Sequence, residues 1–226
     1  MLGRNHGAGG VIAWGAGLWV GTTALAEPHL PVLPIAIGTL VAAGSALAPD
    51  LDESHSLPSQ SNPIAKLPIF GGHRTRTHTV LAVVLVALAA VWCSHSAEAS
   101  GVLAGFMASM GAAWALARQR HVGLLTGIGA GCAIGWVTAT YVQPGWWLVA
   151  ATALPYLSHL LGDWLTPGGV PLLMPATRHK WSAGLFRTGG AVELLVMTPL
   201  LLIAAIGAMW VGVQAAMLPV THLPHL

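Results

Sequence analysis

Charge is scarce in this sequence: Asp, Glu, Lys and Arg make up 7% of its 226 residues, where a soluble domain carries about 25%. With 55% hydrophobic residues and a mean hydropathy of +0.71, that shortage excludes an ordinary water-soluble globule. It implies a single integral membrane domain over 1–226. Cysteine is scarce too. Cys93 and Cys132 lie in separate apolar runs, match no metal or disulfide spacing, and read as small buried hydrophobes. There is no low-complexity tract and no internal repeat. Nothing points to nucleic acid as a partner, and the composition does not define an oligomeric state. One residue type is abundant. Eleven histidines stand against nine Lys plus Arg, which directs attention to metal ligands or proton chemistry.

Apolar runs of about 20 residues, the length that crosses a bilayer, fall near 7–26, 30–48, 78–96, 100–117, 122–141, 145–163 and 191–216. The expected fold is therefore an all-α polytopic membrane helix bundle of about seven transmembrane helices. Arg4, the first run and Ala24-Leu25-Ala26 also resemble a cleavable leader; the reading preferred here keeps the segment, because His6 belongs to the pattern below. Counting alternate sides puts Arg4, Lys66, Arg74, Arg76, Arg118, Arg120, Arg178, Lys180 and Arg187 on one face, while the opposite loops carry Glu27 and Glu98. The positive-inside rule makes the basic face cytoplasmic and the location an inner (plasma) membrane. Two long cytoplasmic loops, 49–77 and 164–190, are rich in Pro, Gly, Ser and Thr and read as irregular. Re-entrant backbone is allowed at Pro167–Pro171 if it lines a protein cavity.

The same topology gathers the unusual polar residues on one rim. His159 and Asp163, four apart at the end of the sixth run, share a helix face. A charge at membrane depth costs roughly 2.5 kcal/mol or more, so the pair marks a functional site. His6 precedes the first run, Asp50 and Asp52 follow the second, His73 and His78 lead into the third, and Glu193 opens the seventh. This nitrogen and oxygen donor set suits a divalent metal: zinc, with manganese or iron as competitors and the number of ions open. Blander readings stand beside it. Asp50 and Asp52 can cap a turn, Arg74 and Arg76 can mark the cytoplasmic border, and Glu193 can satisfy a helix N-terminus.

The motifs Pro49-Asp50-Leu51-Asp52, His73-Arg74-x-x-Thr77-His78 and Ser158-His159-x-x-x-Asp163-x-x-Thr166-Pro167-x-Gly169-Val170-Pro171 resemble, in this order, those of the YdjM family, also known as DUF457. Its members are described as inner-membrane metal-dependent hydrolases. His6 with Gly10, and Phe186-Arg187-Thr188-Gly189-Gly190-x-x-Glu193, resemble the family's first and last motifs. The family is itself distantly similar to the zinc phospholipase C and P1 nuclease group, which implies phosphoester chemistry by fold analogy. Three positions depart from the family pattern. Glu53 stands where Pro-Asp-x-Asp-His has its histidine (the nearest here is His55), Thr75 replaces glycine, and Thr79 replaces serine.

The expected activity is that of a membrane-bound hydrolase acting on a phosphoester or lipid-like amphiphile. His6, Asp50, Asp52, His73, His78, His159, Asp163 and Glu193 are the metal-site candidates. Asp52 or Glu193 is the candidate general base, and Arg74 and Arg76 would hold an anionic group. The rival expectations are a metal-ion or small-solute transporter and a scaffold with a structural metal. A reporter fused after Gly169 is expected on the cytoplasmic side in a whole-cell accessibility assay; labelling from outside the cell would reverse the topology.

Overall fold

The computed structural model describes residues 1–53, 74–116 and 120–217, together with Ser56 and Ser59. Within them the chain is all-α, with no strand among the described residues. The seven helices are α1 (Gly3–Trp19), α2 (Val32–Ser45), α3 (Val80–Cys93), α4 (Ala97–Leu116), α5 (Arg120–Tyr141), α6 (Trp146–Trp164) and α7 (Thr198–Met217). They stand where the seven apolar runs predict helices. Their lengths are less uniform than expected. Val122–Tyr141 and Glu193–Met217 are long and apolar enough to cross a membrane, whereas α2 and α3 are apolar but only 14 residues each. At 1.5 Å per residue those two rise about 21 Å, short of the ~30 Å hydrocarbon core.

The shortening has local causes. Pro31 sets the start of α2 in extended backbone, and at its far end Pro49, which has no N–H to give, turns the chain into the 3-10 segment Ala48–Asp52. Before α3 a second 3-10 turn, Arg76–His78, stops at Thr79, whose hydroxyl caps α3 by accepting from the Ala82 N–H at 3.0 Å. α1 runs into a π-helical turn at Val20–Ala24, and another, Glu193–Met197, opens α7.

α1, α2 and α6 form the centre, with α7 against α1, α3 against α6, and the α4–α5 hairpin against α2. Trp14, Leu18, Val41, Ala42, Leu148 and Leu160 are buried between them. Leu88, Trp92, Leu125, Ile203, Ile206 and Trp210 point outward and are exposed. Apolar groups outward and ionisable groups inward are what a lipid solvent selects. Small residues let the helices close. A Cβ on Gly101 would lie 2.5 Å from the Gly135 carbonyl oxygen, and one on Gly105 would lie 2.5 Å from that of Gly131. Close backbone contact through small residues replaces hydrophobic burial as the source of helix association in lipid.

Gly105→Leu is accordingly expected to split α4 from α5 and lower the thermal midpoint of the detergent-purified protein, the overpacking costing about 1–3 kcal/mol or more. Gly129→Ala is the control. A Cβ there meets nothing within 4 Å, so its midpoint should stay or rise.

Candidate metal centre

The polar rim is built by four helix ends. His6 lies one turn into α1, Asp50 and Asp52 on the 3-10 segment after α2, His78 just before α3, and His159 and Asp163 on the last turns of α6. His6, Asp52, His78, His159 and Asp163 are all buried, and Asp50 keeps 18% of its side chain exposed. The i,i+4 spacing of His159 and Asp163 does put them on one face, 3.7 Å apart from Nε2 to Oδ2. The His78 segment is pinned against α6 by the Tyr156 hydroxyl, which donates to the Thr77 carbonyl at 2.7 Å. Val80 N–H donates to Leu172 O at 2.9 Å and ties the same segment to the 164–190 loop.

Hydrogen bonds on the far side of each imidazole fix which nitrogen faces the cluster. His159 Nδ1 lies 2.6 Å from the Ala46 carbonyl oxygen, an acceptor only, so Nδ1 carries the proton. His78 Nδ1 lies 3.2 Å from Asp52 Oδ2, which also accepts from the Thr77 hydroxyl. Were both rings neutral, Nε2 would be a lone pair on each. The two Nε2 atoms face each other at 3.3 Å. His159 Nε2 is 3.5 Å and His78 Nε2 3.8 Å from Asp50 Oδ1, and His78 Nε2 is 3.5 Å from Asp163 Oδ2.

Four acceptors turned on one another repel unless a cation or shared protons intervene. Donors bound at 2.0–2.1 Å around a tetrahedral ion lie about 3.3–3.4 Å apart. The observed separations begin at that value and run slightly wider. His78, His159 and Asp50 form one group able to hold an ion, and His6, His159 and Asp163 form another. His6 stacks on His159 with ring centroids 3.7 Å apart, and its Nε2 lies 3.3 Å from Asp163 Oδ1. Its Nδ1 is buried without a hydrogen-bond partner. The donor set therefore fits a divalent metal, and the carboxylate–histidine and carbonyl–histidine contacts are those that orient metal-binding imidazoles.

Other predicted residues take different places. Asp52 touches the cluster through His78 Nδ1 and Thr77, so it positions an imidazole. Glu193, a candidate ligand and base, has its oxygens engaged elsewhere. Oε1 accepts from Leu2 N at 2.7 Å and Asn5 Nδ2 at 2.9 Å, and Oε2 accepts from Gly189 N at 2.7 Å. It clamps the start of α1 to the start of α7. The N-terminal ammonium lies 2.6 Å from Asp163 Oδ1.

Arg74, expected to face a substrate, places Nη2 2.8 Å from the same Asp163 oxygen. Its φ of 55° is a left-handed conformation that a non-glycine residue adopts at a cost, whereas Thr75, where the family pattern has glycine, sits at φ −120° and asks for none. Arg76 is exposed on the turn before His78. Glu53 belongs to neither donor group among the described residues. His73, also a predicted ligand, lies outside the described residues, as do His55, Lys66 and Arg118. Of the positioning partners, Thr77 belongs to the His73-Arg74-x-x-Thr77-His78 motif, whereas Ala46, Tyr156 and Asn5 are not singled out by the sequence. Asn5 adjoins His6, and that adjacency is the available signal.

The family model of the YdjM inner membrane proteins matches residues 1–222, essentially the whole chain, and the chain belongs to that family. No curated protein and no solved structure matches it.

The clamp assigned to Glu193 has a direct check. Glu193→Gln replaces a carboxylate that accepts three hydrogen bonds, each worth about 1.5–3 kcal/mol when one partner is charged. It should lower the thermal midpoint yet leave the metal content of the folded fraction unchanged. Metal lost without a drop in midpoint would return Glu193 to the ligand set.

Proposed function

We propose that this YdjM-family protein is a membrane-bound metal-dependent hydrolase. In this reading all seven helices span the bilayer, the metal centre faces the cytoplasm, and the substrate is a phosphoester on an amphiphile. One observation carries the proposal: the facing Nε2 atoms of His78 and His159, 3.3 Å apart and flanked by Asp50 and Asp163. Buried ionisable groups outside this rim would have favoured transport, since an ion path needs polar groups along the depth of the bundle. Among the described residues the buried ionisable side chains are His6, Asp52, His78, His159, Asp163 and Glu193, and all belong to the rim. That distribution favours a fixed site.

His78, His159, Asp50 and Asp163 would hold the ion, zinc by donor chemistry, with His6 adjoining through Asp163. A bound divalent ion there supplies a water acidic enough to lose its proton near neutral pH and a Lewis acid for the substrate oxygen. The protein groups have separable tasks. Asp52 and the Ala46 carbonyl hold the two imidazoles in the Nε2-facing tautomer. Arg74 holds Asp163 through Oδ1, the oxygen that also faces His6, which leaves Oδ2 towards His78 and His159. Asp50, more open to solvent than Asp52 and Asp163, would be the ligand nearest the water that reaches the site.

Metal analysis of the purified protein tests this reading. His159→Ala and His78→Ala should lose the bound metal, and Asp52→Ala should weaken metal affinity by about 10–100-fold, as expected for a residue that orients a ligand. A panel of phosphodiesters and phospholipids, assayed with and without chelator, should show hydrolysis that tracks metal content. Full metal occupancy in both histidine variants would rule the centre out, and occupancy without hydrolysis of any ester would leave a scaffold.

A further inference from the structure

An open groove of about 660 Å³ runs between α1 and α6. Its α6 wall begins at Trp146 and ends at Leu161, with Val149, Ala153 and Leu157 between them on the same helix face. Over that stretch the helix rises about 22 Å, more than the ~15 Å of hydrocarbon in one leaflet. The α1 side is small: Ala13, Ala16, Gly17 and, on the π-helical turn that follows, Gly21. Larger residues would close it. A Cβ on Gly17 would lie 2.9 Å from Leu154 Cδ1, and one on Gly21 would lie 2.5 Å from the Trp146 ring. Trp146 is itself held, since its indole N–H donates to the Pro28 carbonyl at 3.3 Å.

Two observations identify what fits there. The first is continuity with the surface this membrane protein turns to lipid. Val20, Leu25, Leu154, Leu157 and Leu161 line the groove and are also exposed, so it opens on the apolar exterior of the bundle. The lining gives a polar ligand little to bind. The Ser158 hydroxyl donates to Pro155 O at 2.8 Å within its own helix, and Glu27 is the one charged side chain in the lining. A hydrocarbon chain matches such walls through many small dispersion contacts. The second observation is the polarity of the two ends. Glu27 lies at the Trp146 end, next to Pro28, and its carboxylate repels an anionic headgroup. At the other end Ser158 and Leu161 flank His159, and Gly162 and Asp163 follow. Gly162 lies against His6, because a Cβ there would sit 3.3 Å from His6 Nδ1, the buried nitrogen that has no hydrogen-bond partner. The groove therefore ends at the metal centre, the cation-binding end of the bundle.

We propose that this groove holds one acyl chain of a lipid substrate, with the carbonyl end of the chain at Leu161 beside the metal centre and its methyl end near Trp146. The assignment rests on the reading above, in which α1 and α6 cross the bilayer and the centre acts on an amphiphile, but occupation of the groove needs neither metal nor turnover. Contacts with a tail remote from the reacting bond seat the headgroup at the centre, so the groove selects long-chain lipids over short-chain esters. Ala16 and Ala153 set the free width. Both line the groove and neither is buried, so a phenylalanine at either position occupies the groove instead of the packed core.

Two photoreactive phosphatidylglycerols test this, one with a diazirine near the carbonyl of a long acyl chain and one with it near the methyl end. Each is placed at trace level in phosphatidylcholine nanodiscs that hold the full chain, and crosslinked peptides are mapped by mass spectrometry. Metal content and thermal midpoint are measured on the same samples. In wild type the carbonyl-end probe should label Ser158 to Leu161, and the methyl-end probe should label Trp146 to Ala150 and Gly21 to Leu25, each several-fold above the exposed face of α3. Ala16→Phe and Ala153→Phe, made singly so that either one suffices if the other fails to fold, should cut the groove label at least about five-fold. The α3 label and the metal content should stay as in wild type. Ala89→Phe, at an exposed α3 position outside the groove, should keep the full groove label. Groove labelling that survives chelation in a protein that hydrolyses no ester upholds the lipid site while the hydrolase reading falls. Label spread evenly over the exposed faces, the two probes in reversed order, or a groove label unchanged in the folded phenylalanine variants overturns the proposal.

Discussion

Two imidazole Nε2 atoms that face each other across 3.3 Å are the constraint on which the rest of this structure depends. Alone, the arrangement is unfavourable. Two neutral rings would repel through their lone pairs and two doubly protonated rings would clash through their hydrogens, so the contact calls for a shared proton or a cation, and two carboxylates crowd the same space. Burying polar groups in this state costs several kcal/mol unless something satisfies them. The fold nevertheless holds it from four directions, through Ala46 just after α2, Asp52 and Thr77 on the 3-10 turns, Tyr156 on α6 and Arg74 from the loop before α3. A divalent cation held by His78, His159, Asp50 and Asp163 would relieve the repulsion among these donors. Metal binding and packing at this rim are then one problem, since ligands that converge only in the folded state make the metal part of the folding free energy.

The bundle explains why the rim can be so densely polar. Glycines bring α4 and α5 into backbone contact, and the exposed side chains of α3, α5 and α7 are largely apolar. The polar groups are left one direction to face. Glu193 closes the arrangement from outside by binding Leu2, Asn5 and Gly189. It thereby sets the register of α1, and with it the position of His6 over His159.

Much of this was legible because it is periodic or local. Apolar run length located the seven helices, and the i,i+4 spacing of His159 and Asp163 located the site. The order of motifs from His6 to Glu193 identified the family. What escaped the sequence depends on contacts between distant segments. Asp50 and Asp52 look equivalent in Pro49-Asp50-Leu51-Asp52, but a 3-10 turn aims one at the Nε2 atoms and the other at Nδ1 of His78. Arg74 reads as a substrate clamp until Gly168 and Asp163 are seen beside it. Arg178 and Lys180 count in the sequence only as charges on the basic face, and the Val170–Trp181 bridge brings them to one pocket with Arg74. The uniform seven-span picture erred on helix length, since α2 covers only Val32–Ser45 of the 30–48 run, with Pro31 at its start and the 3-10 segment Ala48–Asp52 after its end.

X-ray absorption spectroscopy on the metal-loaded protein measures the donor shell directly. The account predicts nitrogen and oxygen donors only, at about 2.0–2.1 Å if the ion is zinc. The outer-shell scattering should be that of imidazole, and it should weaken when His159 is replaced by alanine. A sulfur shell near 2.3 Å, which would implicate Cys93 or Cys132, or a spectrum without imidazole scattering, would contradict it.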